Sequence, residues 1–462
     1  MAYQSINPFN GELLQRFDQH TDAQMESALA KAESTFQHIW SKATFRDRAE
    51  VVGRVASLML ERKESLARLA ALEMGKRISE GRAEVEMSAA ILQYFADHAE
   101  AFLAPQVIET AMGDAHLESS PLGVLIGVQP WNFPYYQLAR FAAPNLMAGN
   151  VLLIKHSSIV PQCALAFQQL FTDAGAPCGA YTNLFVSSDQ VGAMLDDPRT
   201  KGVALTGSEQ AGESLASRAG KNLKRSTMEL GGSDAFIVLE DCDLEFAVKM
   251  AVLGRIGNVG QTCIGAKRFI VVGPRAEQFL NAFRDALAQL KPGDPLDEST
   301  TLGPLASETA LVLLLKQVRE AGAHGARIFA GGDRIRHRGA FMQPTILTNV
   351  TPDNPAFRQE FFGPVALFFP AKDEEEAIAL ANNSPFGLGG SVYTSDIEHG
   401  KQVASRIETG MVFVNYPFMS APELPFGGIK RSGYGKELSS LGIQEFVNKK
   451  LIFAMKPKAG NK

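Results

Sequence analysis

Cysteine is scarce in this chain, with four in 462 residues: Cys163, Cys178, Cys242 and Cys263. They lie 15, 64 and 21 positions apart with no C-x-x-C pair, so neither a disulfide framework nor a zinc or other metal site is indicated. The thiols are read as reduced. An excess of one charge is also missing. Lys and Arg number 45 against 50 for Asp and Glu, and no basic run forms a stripe that could follow a phosphate backbone. Nucleic acid is therefore not an expected partner. No stretch approaches the roughly 20 apolar residues of a spanning helix. The start, MAYQSINPFNGELLQRF, has no basic segment leading into an apolar one. The expectation is a soluble cytoplasmic protein without membrane contact. Internal repeats and low-complexity tracts are absent, as is a G-x-G-x-x-G after any early strand. GSEQAGES, from Gly207 to Ser214, has two glycines but no Lys-Ser/Thr, so it is not a P-loop.

What is present is an α/β pattern longer than one hydrophobic core sustains. Residues 22 to 103 carry apolar positions at helical spacing with few breakers. QVIET and AHLESS, around AMGD, read as a hairpin. GVLIGVQP, NVLLIKH, TNLFV and GVALTGS are short apolar strands alternating with helical stretches, which implies a parallel sheet covered by helices. From residue 233 the pattern restarts with DAFIVLE, KRFIVVG, ARIFAGG, ALFFPAKD and MVFVNY. The break falls near Gly231-Gly232. The end, EFVNKKLIFAMK, is apolar enough to need a partner sheet, and Phe446, Val447, Leu451, Ile452 and Phe453 have nothing after them in the chain to cover them.

Several stretches stand apart from this pattern. GQTC holds Cys263, QPWNFPYYQLAR holds Asn132 between bulky rings and prolines, and MELGGSD sets Glu229 before two glycines. RQEFFGPV sets Glu360 before Phe361 and Phe362, and LPFGGIKRSGYG is a glycine-rich loop near the end. ALTGSEQAG is a strand, a glycine turn and a helix start; its backbone N–H groups could hold one phosphate, or it could be a plain turn. Taken singly, each motif has an ordinary structural reading.

Taken together, PWNFP, ELGG, GQ-x-C, E-x-FGP and PFGG-x-K occur in the order found in the NAD(P)-dependent aldehyde dehydrogenase superfamily, which this chain resembles from about residue 5 to residue 455. The resemblance implies a Rossmann-type cofactor domain over 1–104 and 122–231 and an α/β catalytic domain over 232–433. It also implies assembly elements, including a small β hairpin, over 105–121 and 434–462. By resemblance Cys263 is the nucleophile that adds to an aldehyde, Asn132 and the Cys263 N–H stabilise the oxyanion, and Glu229 activates the water that hydrolyses the thioester. The cofactor, NADP or NAD, is expected against Trp131, Lys155, Ser158, Gly207, Ser208, Glu360 and Phe362. Lys155 and Glu360 take the two ribose hydroxyl pairs. NAD-selective members usually carry an acid three residues after that lysine. Here the residue is Ser158, and Lys155 with His156 is expected to leave the locality positive, so NADP should be accepted.

In succinate-semialdehyde members an arginine at the position of Arg140 grips the distal carboxylate, and Ser420 lies where the substrate loop runs. Succinate semialdehyde is the leading substrate on that ground. The alternative for Arg140 is a surface ion pair. A second arginine of some relatives is absent, since Gly257 stands there, and Arg255 is expected to point elsewhere. Gly265 replaces the resolving cysteine of others. Competing functions are a broad aliphatic or aromatic aldehyde oxidiser, a CoA-acylating dehydrogenase, and a non-catalytic protein on the same scaffold. The hairpin and tail predict a homodimer or homotetramer.

Overall fold

The computed structural model describes residues 3–455. Two sheets organise it. A six-stranded sheet runs in the order Gly433–Tyr434, Arg225–Glu229, Thr200–Thr206, Val124–Gln129, Val151–His156, Tyr181–Asn183. All neighbours are parallel except Gly433–Tyr434, which returns antiparallel onto Arg225–Glu229. A seven-stranded sheet runs Arg327–Ala330, Thr345–Thr348, Val365–Ala371, Ala266–Val272, Asp234–Val238, Gly390–Tyr393, Phe413–Val414, with only the first strand antiparallel. Strands such as Val151–His156 and Ala266–Val272 are buried on both faces, as continuous apolar runs in parallel sheets should be. The sequence break near Gly231-Gly232 is the passage from Arg225–Glu229 in one sheet to Asp234–Val238 in the other.

Helices Asp22–His38, Phe45–Glu61, Lys63–Met74 and Ile78–Phe102 form the expected lead-in. Short strands escaped the sequence reading. Tyr3–Ile6 pairs with Leu13–Phe17, and Thr345–Thr348 and Gly390–Tyr393 complete the second sheet.

Gln106–Ile108 and Asp114–Pro121 form the expected antiparallel hairpin, and the strand Val447–Ala454 adds to its other edge. The tail's partner sheet is therefore within the same chain. Two of the tail's apolar residues are not uncovered as expected: Phe446 and Val447 are buried in the first core, Phe446 edge-on to Phe141. Leu451, Ile452 and Phe453 remain exposed. Residues 456–462 of the expected assembly range lie outside the described residues.

Candidate active site

Cys263 follows a tight turn that the chain would not form on its own. Asn258, Val259 and Gly260 are all left-handed, with φ of 52°, 56° and 74°. For a β-branched valine such a conformation costs about 1–3 kcal/mol and persists only where surroundings enforce it. They do so here. The Asn258 amide donates to Asn132 O at 2.8 Å and Gln261 O at 3.1 Å, while its N–H donates to Glu80 Oε1 at 2.9 Å. The Ala306 N–H donates to Gln261 Oε1 at 2.8 Å, and Arg255 Nη2 to Gly260 O at 2.6 Å. Arg255 thus does not point away from the site. It is fully buried and holds the turn that precedes the thiol.

The same turn meets the Asn132 loop. Asn132 is buried, and its Nδ2 donates to Gln261 O at 3.1 Å, which leaves one of its two amide hydrogens free. The following helix, Tyr136–Met147, has no side-chain cap of its own. Glu84 supplies one from a distance: its Oε1 accepts from the N–H groups of Tyr135 at 2.7 Å and Tyr136 at 3.1 Å, and it is paired with buried Lys76.

Cys263 opens onto a cavity of about 590 Å³ whose walls include Phe133, Tyr136, Leu253, Phe418, Phe426 and Ser420. Protein nevertheless surrounds the sulfur closely. Burial pushes the thiol up to about 11, against the attraction of Arg140 and Lys267 and with the repulsion of Glu360 and Glu229. Glu229 ends the strand Arg225–Glu229. Its carboxylate is buried and neither oxygen has a hydrogen-bonding partner among the described residues. Burial first, then repulsion by Glu437, holds it well above the usual carboxylate range, with Arg140 opposing. The PFGG loop explains its glycine here, since a Cβ on Gly427, at φ +146°, would stand 2.8 Å from Glu229 Oε1.

Arg140 differs from both of its sequence readings. It is neither a surface ion pair nor on the cavity wall. Its side chain is 1% exposed and pairs with Glu437, its Nη2 reaches Thr206 Oγ1 at 3.3 Å, and its guanidinium lies 4.2 Å from the Phe426 ring centroid. It approaches the cavity behind two of its walls, Phe426 and Tyr136, and the Tyr136 hydroxyl is 3.4 Å from Arg140 Nη1 and 2.7 Å from Ser420 Oγ.

Two of the cofactor candidates touch each other. Trp131 and Phe362 meet edge-on with ring centroids 5.7 Å apart. Ser208 caps the helix Glu209–Lys221, accepting from the Ala211 N–H, directly after the strand Thr200–Thr206 and Gly207. A Cβ on Gly207 would make only ordinary contact, with Leu205 at 3.6 Å, so nothing crowds the turn, and the first N–H groups of the helix lie beside it. Among the described residues the half-buried Lys155 ammonium makes one hydrogen bond, to His156 O at 3.3 Å, which leaves it further donors. The Ser158 carbonyl accepts from the Gln4 N–H at 3.1 Å. A Cβ on Gly231 would stand 2.4 Å from Glu360 Oε2, so only glycine lets that carboxylate lie there. The donors of a helix N-terminus and an ammonium suit a dinucleotide's phosphate and ribose oxygens, and the carboxylate can accept from ribose hydroxyls. His156 corrects one expectation. It is fully buried, its ring nitrogens face Gln129 O and Pro134 O, and burial pushes it down to about 4. It is neutral at pH 7 and adds no positive charge beside Lys155.

Sequence reasoning missed Glu437, Tyr136, Asn258 and Lys267. For Lys267 a signal existed: a lysine and an arginine interrupt the otherwise apolar strand AKRFIVV, and both are buried. Buried cations are found where they have partners.

The sequence model of the aldehyde dehydrogenase family matches residues 1–452. A relative from Deinococcus radiodurans, named succinate-semialdehyde dehydrogenase [NADP(+)], is 48% identical over 99% of this chain and 95% of its own. One from Synechocystis, named probable succinate-semialdehyde dehydrogenase [NADP(+)], is 46% identical over 98% of this chain and all of its own. The crystal structure of succinic semialdehyde dehydrogenase from Streptococcus pyogenes in complex with NADP+ superposes with a TM-score of 0.97 at 44% identity, covering 98% of this chain and all of that one. By motif, fold and sequence, the chain belongs to the aldehyde dehydrogenase family.

Proposed function

We propose that the protein oxidises succinate semialdehyde to succinate with NADP+, in keeping with the activity its relatives are named for. What carries the mechanistic part of this reading is Glu229. A buried carboxyl with both oxygens unbonded and close enough to interact with the Cys263 thiol is placed to act as a general base, and its raised pKa makes it a stronger proton acceptor once ionised.

In this reading the Cys263 sulfur adds to the aldehyde carbon as its proton passes to Glu229 or to water. The carbonyl oxygen becomes an oxyanion facing the free Asn132 amide hydrogen and the Cys263 N–H. Bound NADP+ supplies the hydride acceptor. The acyl group is left on Cys263 as a thioester, and Glu229 takes a proton from the water that cleaves it. Lys155, Ser158, Gly207, Ser208, Glu360, Phe362 and Trp131 would hold the dinucleotide, and no carboxylate at position 158 opposes a 2′-phosphate. The substrate's distal carboxylate would accept from the Tyr136 and Ser420 hydroxyls, with Arg140 behind them as a source of positive potential rather than a direct clamp.

The apolar walls support a second reading, a broad oxidiser of aliphatic or aromatic aldehydes. A panel of aldehydes assayed with NADP+ and NAD+ separates the two: the proposal expects succinate semialdehyde to exceed uncharged aldehydes of equal length in kcat/KM, and equal values favour the broad enzyme. Cys263→Ser should abolish turnover and leave NADPH binding intact, and turnover by that variant refutes the nucleophile. We also read the protein as a cytoplasmic homodimer or homotetramer. Its cofactor unit would span 1–104 and 122–231 and its catalytic unit 232–433, with assembly through 105–121 and the tail.

A further inference from the structure

Lys267 is the second residue of the strand Ala266–Val272, four positions after Cys263. Its side chain is 0% exposed, where an unpaired ammonium would be costly. Two carbonyl oxygens accept from its ammonium, Thr262 O at 2.8 Å and Cys263 O at 2.6 Å, and Glu360 Oε1 forms an ion pair with it at 3.2 Å.

The first of these contacts bears on the reaction. The Thr262 carbonyl and the Cys263 N–H belong to one planar trans peptide, so they point in opposite directions. Drawing the carbonyl onto a buried cation fixes that plane and polarises the N–H on the far side. That N–H is the one assigned above to the oxyanion. The third contact reaches the cofactor ligand. Glu360 Oε1 is shared between Lys267 and the Gly232 N–H at 3.1 Å, and Gly232 itself packs on Cys263 O, 2.8 Å from where its Cβ would be. Ribose hydroxyls donating to Glu360 would draw its charge away from Lys267 and leave that cation to the Cys263 peptide.

We propose that Lys267 is a positioning residue that orients and polarises the Thr262–Cys263 peptide and, through Glu360, makes the reactivity of the Cys263 thiol depend on occupancy of the cofactor's ribose subsite. The proposal rests on the roles given above to Cys263 and Glu360.

The groups facing the thiol are Arg140 and Tyr136 from the helix Tyr136–Met147, Glu229 from its strand, Glu360 from the EFFGP loop, and Lys267 itself. Asp234, which also faces Lys267, is pushed up to about 6 by burial, and Arg255 and Arg268 lie beside it. Through the range tested Asp234 carries most of its charge.

The test is the rate of iodoacetamide alkylation of Cys263 against pH from 7 upward, read on the Cys263 peptide by mass spectrometry because Cys178 is also exposed. It is run on the full chain with and without NADPH, whose neutral nicotinamide ring adds no charge beside the sulfur. The midpoint is read rather than the amplitude, since NADPH also narrows access. In the wild type NADPH should lower the midpoint by about one pH unit, roughly a tenfold faster reaction below it. Glu360→Gln should lower the midpoint of the cofactor-free protein and abolish any further NADPH shift. Lys267→Met should raise the midpoint and show no NADPH shift. An NADPH shift that survives Lys267→Met overturns the proposal. So does a wild-type profile in cofactor-free Glu360→Gln, a partly exposed position where folding is not at stake. Fluorescence titration of Glu360→Gln with NADPH tests the underlying reading separately: undiminished affinity removes Glu360 from the ribose and the coupling with it, whatever Lys267 does.

Discussion

Arg140 and Glu437, almost 300 positions apart, form an ion pair in the interior, in contact but not aligned as a hydrogen bond. The pair lies near Glu229 and behind the cavity walls Tyr136 and Phe426. Glu437 raises the pKa of Glu229 while Arg140 lowers it, and the arginine touches Tyr136 on the cavity wall. A substitution at Arg140 therefore acts on stability, on the base and on the substrate site together.

Arg140→Met should leave Glu437 buried without a partner and cost about 3–5 kcal/mol of stability. The paired variant Arg140→Met/Glu437→Gln should recover most of this, as followed by thermal unfolding. In that stable background KM should rise for succinate semialdehyde and stay constant for an uncharged aldehyde of similar length. An unchanged ratio would remove Arg140 from substrate selection.

Glu229→Gln should release one equivalent of NADPH in a burst and then stall at the thioester, with the steady-state rate down about 10²–10⁴-fold. Because burial holds Glu229 above the usual carboxylate range, the wild-type kcat should fall with decreasing pH at a point above that range. Stopped-flow absorbance at the reduced nicotinamide band reads both. An unchanged steady-state rate excludes Glu229 as the base.

Ser158→Glu should move preference from NADP+ toward NAD+. A carboxylate beside a 2′-phosphate is a like-charge contact worth about 1–3 kcal/mol, or roughly five- to a hundredfold in the ratio of kcat/KM values. A ratio that does not change places the adenosine ribose elsewhere.

His156 predicts an acid sensitivity. Its pKa falls from 6.5 in the open chain to about 4 in the fold, so the unfolded chain binds the extra proton first. Its contribution is intact above pH 6.5 and is lost as pH falls toward 4, up to about 3 kcal/mol. Asp234, raised from 3.8 to about 6, acts with the opposite sign over much of the same range. The readout is accordingly the difference in Tm between wild type and His156→Gln from pH 7 to 4, which should shrink steadily. A constant difference would mean that His156 keeps its proton in the fold and donates to both carbonyls.

The three-stranded sheet predicts assembly. Val107, Leu451 and Phe453 are exposed on it, and Leu451 and Phe453, two apart on one strand, share a face. Truncation after about Gly435 would also strip Phe446 and Val447 from the core, so Leu451→Asp/Phe453→Asp is the cleaner variant. Sedimentation should show an oligomer for the intact protein and a smaller species for the variant. An intact protein that sediments as a stable, active monomer of about 50 kDa defeats this.

Much of the site was legible in the chain. Cys263, Asn132, Glu229 and Glu360 stand in short motifs with glycine or proline neighbours, and the structure accounts for those glycines locally: Gly231 and Gly427 lie against the Glu360 and Glu229 carboxylates, where a side chain would collide. Apolar runs bounded by turns likewise marked most of the strands, because burial on both faces leaves no room for alternation. Tertiary structure decided the ionisation and pairing of the charged side chains. Arg140 and Glu437 find each other only when the end of the chain folds back on the first sheet. His156 loses its charge to burial, and Lys267 gains its purpose from Cys263 and Glu360 together. A sequence specifies which groups can ionise. Whether they do, and beside what, depends on desolvation and on partners brought near from far along the chain.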